Sequence, residues 1–136
     1  MNLLKDRHTA NPLDSVRQVA DKEALLKMQK EAVAVHMADS LYEYVTRLSR
    51  ATREHAMITL GLSSRGALAV CRMAKAHAYM EGRDYAVPED VAAIFADVSG
   101  HRVILSPKAK MTETSASSVI ESVLASVPMP AAGRGE

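Results

Sequence analysis

The 136 residues contain one cysteine, Cys71, no tryptophan, one phenylalanine and four tyrosines. A lone cysteine excludes an internal disulfide and fits a reducing compartment, so the cytoplasm is the expected location. Aromatics make up only 4% of the chain, which speaks against a β-sandwich core and against a surface that stacks nucleic-acid bases. Neither sign of charge prevails. Lysine and arginine number 17 against 16 acidic residues, a formal net charge of +1, so the balance favours neither nucleic acid nor an anionic membrane. No apolar run approaches the roughly 18 residues of a membrane span. The start, MNLLKDRHTANP, lacks the apolar stretch of a signal peptide.

Self-contained catalytic motifs are missing too. There is no G-x-x-x-x-G-K-[ST] phosphate loop and no apolar strand ending in Asp-Glu to hold magnesium, so these residues do not make a complete P-loop ATPase. The histidines, at positions 8, 36, 55, 77 and 101, show no metal-ligand spacing, and no metal site is expected. Ser63-Ser64 lacks the setting of a nucleophile elbow. Cys71, set among Ala and Val, reads as a small core residue rather than a nucleophile.

What is present is Ala, Val, Leu and Met in an apolar fraction of 48%. These residues favour an all-α fold, a small bundle of about five helices in one domain. The spacing predicts a helix over 21–34, with Asp21 as cap and Leu25, Met28, Ala32 and Val35 as its apolar stripe. A second helix over 38–55 carries Leu41, Val45, Leu48 and Thr52 on one face, with Tyr44 beside them. Ile58–Glu81 reads as an extended entry, a bend at Gly61 and a helix apolar on most sides, which should sit centrally. Gly82 stops that helix, and Pro88 opens the next over 88–99, with Val91, Ile94, Phe95 and Val98 inward. Val87 is a poor cap for it. Residues 101–105 suggest a very short strand or extended bridge, 108–115 a polar loop, and 115–127 a last helix. The expected organisation is a lead-in over 1–19 with a turn at Asn11-Pro12, a helical domain over 20–130, and a frayed tail over 131–136.

The candidate site lies at the start of the helix after Gly61. Ser63 or Ser64 can cap it, and Arg65 falls in its first turn. Arg65, Arg72 and Lys75 share one side of the helix. A cation here opposes the helix dipole. Two readings stand at this point: a solvated cationic face, or a site where arginine and free backbone N–H groups meet an anion such as phosphate.

Several ordered phrases resemble the C-terminal lid domain of the MoxR-type AAA+ ATPases. They are Ala51-Thr52-Arg53-Glu54-His55, Leu60-Gly61-Leu62-Ser63-Ser64-Arg65-Gly66-Ala67, Glu81-Gly82-Arg83-Asp84-Tyr85, Pro88-Glu89-Asp90-Val91, His101-Arg102, and the ending Val119-Ile120 to Val127-Pro128-Met129-Pro130. The resemblance runs from Pro12 to Pro130. It implies that Arg65 is the sensor-2 arginine, a catalytic residue reaching the terminal phosphates of ATP, with Ser64 and Arg72 beside it as nucleotide-binding residues. It also implies ATP and Mg2+ in a full-length protein, the metal held by an AAA+ core to which residues 1–19 would be the hinge. The chain alone is expected to bind no nucleotide tightly. The implied partners are that core, copies of itself in a ring, a hexamer, and a von Willebrand factor A-domain protein, in chaperone-like complex assembly. Two departures from the family pattern are Ser64 in place of proline and Val87 in place of threonine. Thr52, Arg53 and His101 recur in the phrases without an assigned task. A lid of a magnesium-chelatase-type subunit and a free-standing helical interaction module are the alternatives.

Overall fold

The computed structural model describes residues 16–131. The turn expected at Asn11-Pro12 and most of the expected lead-in and tail lie outside the described residues. The chain divides into two compact units, Met1–Lys30 and Glu31–Glu136. In the first, residues 16–20 are exposed and without regular structure. Asp21 then caps helix α1 (Lys22–Ala34), its Oδ1 accepting from the Ala24 N–H at 2.7 Å. Of the apolar stripe expected there, only Val35, just past the helix end, is buried. No residue of α1 is buried, and Leu25 and Met28 are 52% and 38% exposed. Periodicity names the face a helix could bury; it does not supply the surface to bury it against.

The second unit carries α2 (Asp39–Glu54), β1 (Ile58–Leu60), α3 (Ser64–Met80), α4 (Pro88–Ser99), β2 (Ile104–Leu105), α5 (Pro107–Met111) and α6 (Ala116–Ser126). The architecture is an all-α bundle with one two-stranded antiparallel pair, Ile58 opposite Leu105 and Leu60 opposite Ile104. The most extensive helix packing is between α3 and α4, and α2 braces both. Helix α2 buries Leu41, Tyr44, Val45, Leu48, Ser49 and Thr52 and packs on α3, α4, α6 and β1. Helix α3 buries one stripe only, Gly66, Val70, Ala74 and Ala78, at a spacing of four. These small side chains let α4 approach closely, while Leu68 and Met73 stay exposed.

Gly82, at φ +74°, ends α3 in the left-handed conformation that glycine adopts without strain. The Gly82 N–H donates to the Tyr79 carbonyl at 3.0 Å and the Arg83 N–H to Ala78 at 2.9 Å, a Schellman closure. The turn beyond it pairs with the chain after α1: the His36 N–H donates to Asp84 O at 2.8 Å, and the Ala86 N–H to His36 O at 2.9 Å. The loop expected over 108–115 is corrected at its start. Ser106 caps the five-residue helix α5, accepting from the Ala109 N–H at 3.3 Å, with Pro107 in the first helical position. Pro107 therefore begins a helix as well as ending the strand. Among the described residues no helix is long and apolar enough to cross a membrane.

Candidate functional site

The loop between β1 and α3 is fastened to the end of α2. Thr52, fully buried, donates through Oγ1 to the Ser49 carbonyl at 2.7 Å and accepts the Leu62 N–H at 2.8 Å. On the other side of the same residue, Arg53 Nε donates to the Leu62 carbonyl at 3.0 Å. Leu62 itself is fully buried. Both backbone polar groups of a buried residue are thus satisfied by adjacent side chains of α2. The approach is close enough to require glycine at Gly61. A Cβ there would lie 2.7 Å from the Arg53 backbone nitrogen and 2.8 Å from its Cα. Gly66 is under a similar constraint, since a Cβ would lie 2.8 Å from Leu62 Cγ. His55, next along α2, faces elsewhere: its Nδ1 accepts the Met57 N–H at 3.2 Å, and its Nε2 lies 3.1 Å from Ser122 Oγ on α6.

From this anchored loop the chain enters α3. Of the two serines that could cap it, Ser63 does so, with extended backbone and Oγ accepting the Gly66 N–H at 3.2 Å. Ser64 is the first helical residue and exposed, so a serine where the resembled pattern has proline leaves the helix start intact. Arg65 follows, exposed, with no hydrogen bond or ion pair to another described residue. It stands between two shallow clefts. One, of about 600 Å³, lies before the helix and is lined by Arg53, the 60–66 loop, Arg65 and Arg102, with no carboxylate among its described lining residues. The other, of about 760 Å³, runs between α3 and α4 past Leu68, Arg72, Met73, Asp97 and His101. The structure therefore brings Arg65 together with Arg53 and Arg102 at one mouth, and with Arg72 along one groove. Lys75 leaves the expected stripe. It is half-buried, and its Nζ donates to the Val33 carbonyl at 3.3 Å.

His101 and Arg102 sit at the C-terminal end of α4. His101 Nδ1 donates to the Asp97 carbonyl at 3.1 Å, and Arg102 Nη1 donates to the Val98 carbonyl. Both serve carbonyls that the helix end leaves free, and Arg102 adds a cation where the dipole favours one.

Sequence reasoning missed a second polar cluster. Asp90, 1% exposed, receives Arg83 through two parallel bonds, Nη1 to Oδ2 at 2.7 Å and Nη2 to Oδ1 at 2.6 Å. It also meets His77 Nδ1 at 2.7 Å and accepts the Val87 N–H at 2.7 Å. Burial alone would raise the carboxyl pKa. The bonds from Arg83, Val87 and His77 outweigh it and hold the group below its ordinary value. Val87 makes no side-chain cap, as its chemistry requires, and Asp90 supplies half a capping box by reaching back to its N–H. Arg83 of the Gly82-Arg83-Asp84 phrase is therefore structural, tying α4 to the turn after α3. Cys71 is half-buried, and burial pushes its thiol pKa up, which makes it a poor nucleophile.

A sequence profile of the AAA lid domain family matches residues 50–123. The chain belongs to the AAA lid domain family. The lid is 29% identical over 130 residues to YeaC, an uncharacterised protein of Bacillus subtilis, covering 96% of this chain and 41% of that protein. It is 32% identical over 123 residues to the chaperone MoxR1 of Mycobacterium tuberculosis, covering 84% of this chain and 33% of that one. Among solved structures, that of a proposed ATPase from Cytophaga hutchinsonii superposes with a TM-score of 0.84 at 29% identity, over 95% of this chain and 42% of the other. The similarity to MoxR1 agrees with the resemblance of its phrases to the MoxR-type ATPases. The lid spans a minority of the length of each of them.

Proposed function

We propose that this lid closes over ATP bound to a nucleotide-binding core and that Arg65 is its sensor-2 residue. The observation that carries the reading is Arg65 itself. It is exposed in the first turn of α3, has no carboxylate partner among the described residues, and opens onto a cleft lined by Arg53 and Arg102. The donor set fits a polyphosphate: cations and helix N–H groups, and no acid to repel it. It does not fit a magnesium site, so the metal belongs to the core.

When bound, ATP supplies the phosphoryl group that is transferred. Arg65 offers a planar, permanently charged fork that neutralises charge spreading over the phosphoryl oxygens during transfer. Ser64, at the first helical position, presents its backbone N–H and hydroxyl at the same mouth. Arg72, two turns further along α3, adds positive potential along the groove it shares with Arg65. Because only the triphosphate offers a γ-phosphate, a contact there ties lid position to nucleotide state. In the whole protein the remaining proposals are a homo-oligomeric ring, a hexamer, with chaperone-like action in complex assembly alongside a von Willebrand factor A-domain partner.

The test is turnover in the full-length ATPase. Arg65→Ala should cut ATP hydrolysis roughly 30-fold or more with the melting temperature unchanged. Undiminished hydrolysis would refute the sensor role.

A further inference from the structure

We infer that Thr52 and Arg53 are positioning residues for Arg65, acting through the peptide groups of Leu62. The inference rests on the sensor-2 reading of Arg65 and extends it to α2. The path has three short links. Thr52 Oγ1 and Arg53 Nε hold the N–H and the carbonyl of Leu62 at 2.8 and 3.0 Å. Leu62 is followed at once by Ser63, whose hydroxyl accepts the Gly66 N–H at 3.2 Å and fixes the first turn of α3. Arg65 lies inside that turn. Gly61 permits the close approach that makes the grip possible.

The direction in which Arg65 leaves the helix is thereby set by α2 as well as by α3. A guanidinium on a long, flexible stem gains precision only if the backbone beneath it does not wander. Thr52 is fully buried and does not line either cleft, so its hydroxyl acts on the site through Leu62. Arg53 grips the same residue while its side chain also lines the cleft before α3, so Thr52 gives the cleaner test.

The experiment is a double-mutant cycle in the full-length ATPase. Thr52→Val removes the hydroxyl at nearly constant volume, Thr52→Ser retains it, and each is combined with Arg65→Ala. Turnover and the KM for ATP are measured alongside melting temperature. His55→Ala serves as control, because it removes contacts from the same end of α2 that lead to Ser122 and away from the loop. The expected result is a fall in kcat of about ten-fold for Thr52→Val, recovery in Thr52→Ser, and no comparable fall for His55→Ala. On the Arg65→Ala background, Thr52→Val should have almost no further effect. An equal fall on both backgrounds would overturn the positioning role while leaving the sensor role standing. No loss in Arg65→Ala would overturn the sensor role, and the inference with it. If Thr52→Val does not fold, Arg53→Met removes the Nε donor from the exposed side of the same grip. A multiplicative effect of Arg53→Met with Arg65→Ala would then overturn the inference.

Discussion

Asp90 shows how much one buried carboxylate organises here. Its two oxygens take bonds from Arg83, His77 and the Val87 N–H, so α3, the turn after Gly82 and the start of α4 meet at one side chain. Such a group is stabilising only while its partners remain, and removing one partner of a buried pair costs about 3–5 kcal/mol. Asp90→Asn should therefore destabilise the lid by about 3 kcal/mol in denaturant melts. The pH dependence follows from the lowered carboxyl pKa. The stabilisation is fully present above the ordinary carboxylate value and is lost as pH falls through the folded one. Wild-type stability should thus drop more steeply below about pH 4 than that of Asp90→Asn. Parallel acid profiles for the two proteins would show that the bonds to Asp90 contribute little.

Helix α4 illustrates what can be improved at the level of an element. Its N-terminus has Pro88 in the first position, Glu89 and Asp90 in the first turn, and no side-chain cap from Val87. A threonine hydroxyl at that position would satisfy one more orphan N–H. Val87→Thr should stabilise the lid by about 1 kcal/mol, read as a rise of a few degrees in melting temperature. An unchanged or lower melting temperature would mean that the half-buried site does not admit the hydroxyl in capping geometry. The same element was legible in sequence, as were α2 and α6, because periodic apolar residues and strong punctuation agreed there. Gly82 and Ser63 were readable for the same reason. Helix α5 was not, since five residues hold too little periodicity to stand out. The exposure of α1 was hidden because a stripe such as Leu25 and Met28 carries no information about what covers it. Helix α3 buries one face and not most sides, because small residues mark a close packing face. Side-chain networks left no periodic trace at all. Arg83, Asp90 and His77 span 13 positions, and Thr52 reaches Leu62 across ten.

For the whole molecule, the proposed function makes the lid one side of a composite site. It spans 33% of the length of the Mycobacterium tuberculosis chaperone and 41% of the Bacillus subtilis relative. In that reading it contributes an anchored loop and Arg65, which has no ion-pair partner among the described residues. Helix α2 grips Leu62, Ser63 starts α3, and Arg65 faces outward beside Arg53 and Arg102. Arg65 could be proposed from a phrase in the sequence, but its lack of a competing carboxylate among the described residues and the grip of Thr52 and Arg53 required coordinates. The most direct measurement is nucleotide discrimination in the full-length ATPase, with affinities for ADP and for a slowly hydrolysed ATP analogue compared in wild type and Arg65→Ala. Loss of the arginine should weaken the triphosphate about ten-fold or more and leave ADP nearly unchanged. Equal affinities of wild type and variant for the triphosphate would contradict a γ-phosphate contact by Arg65.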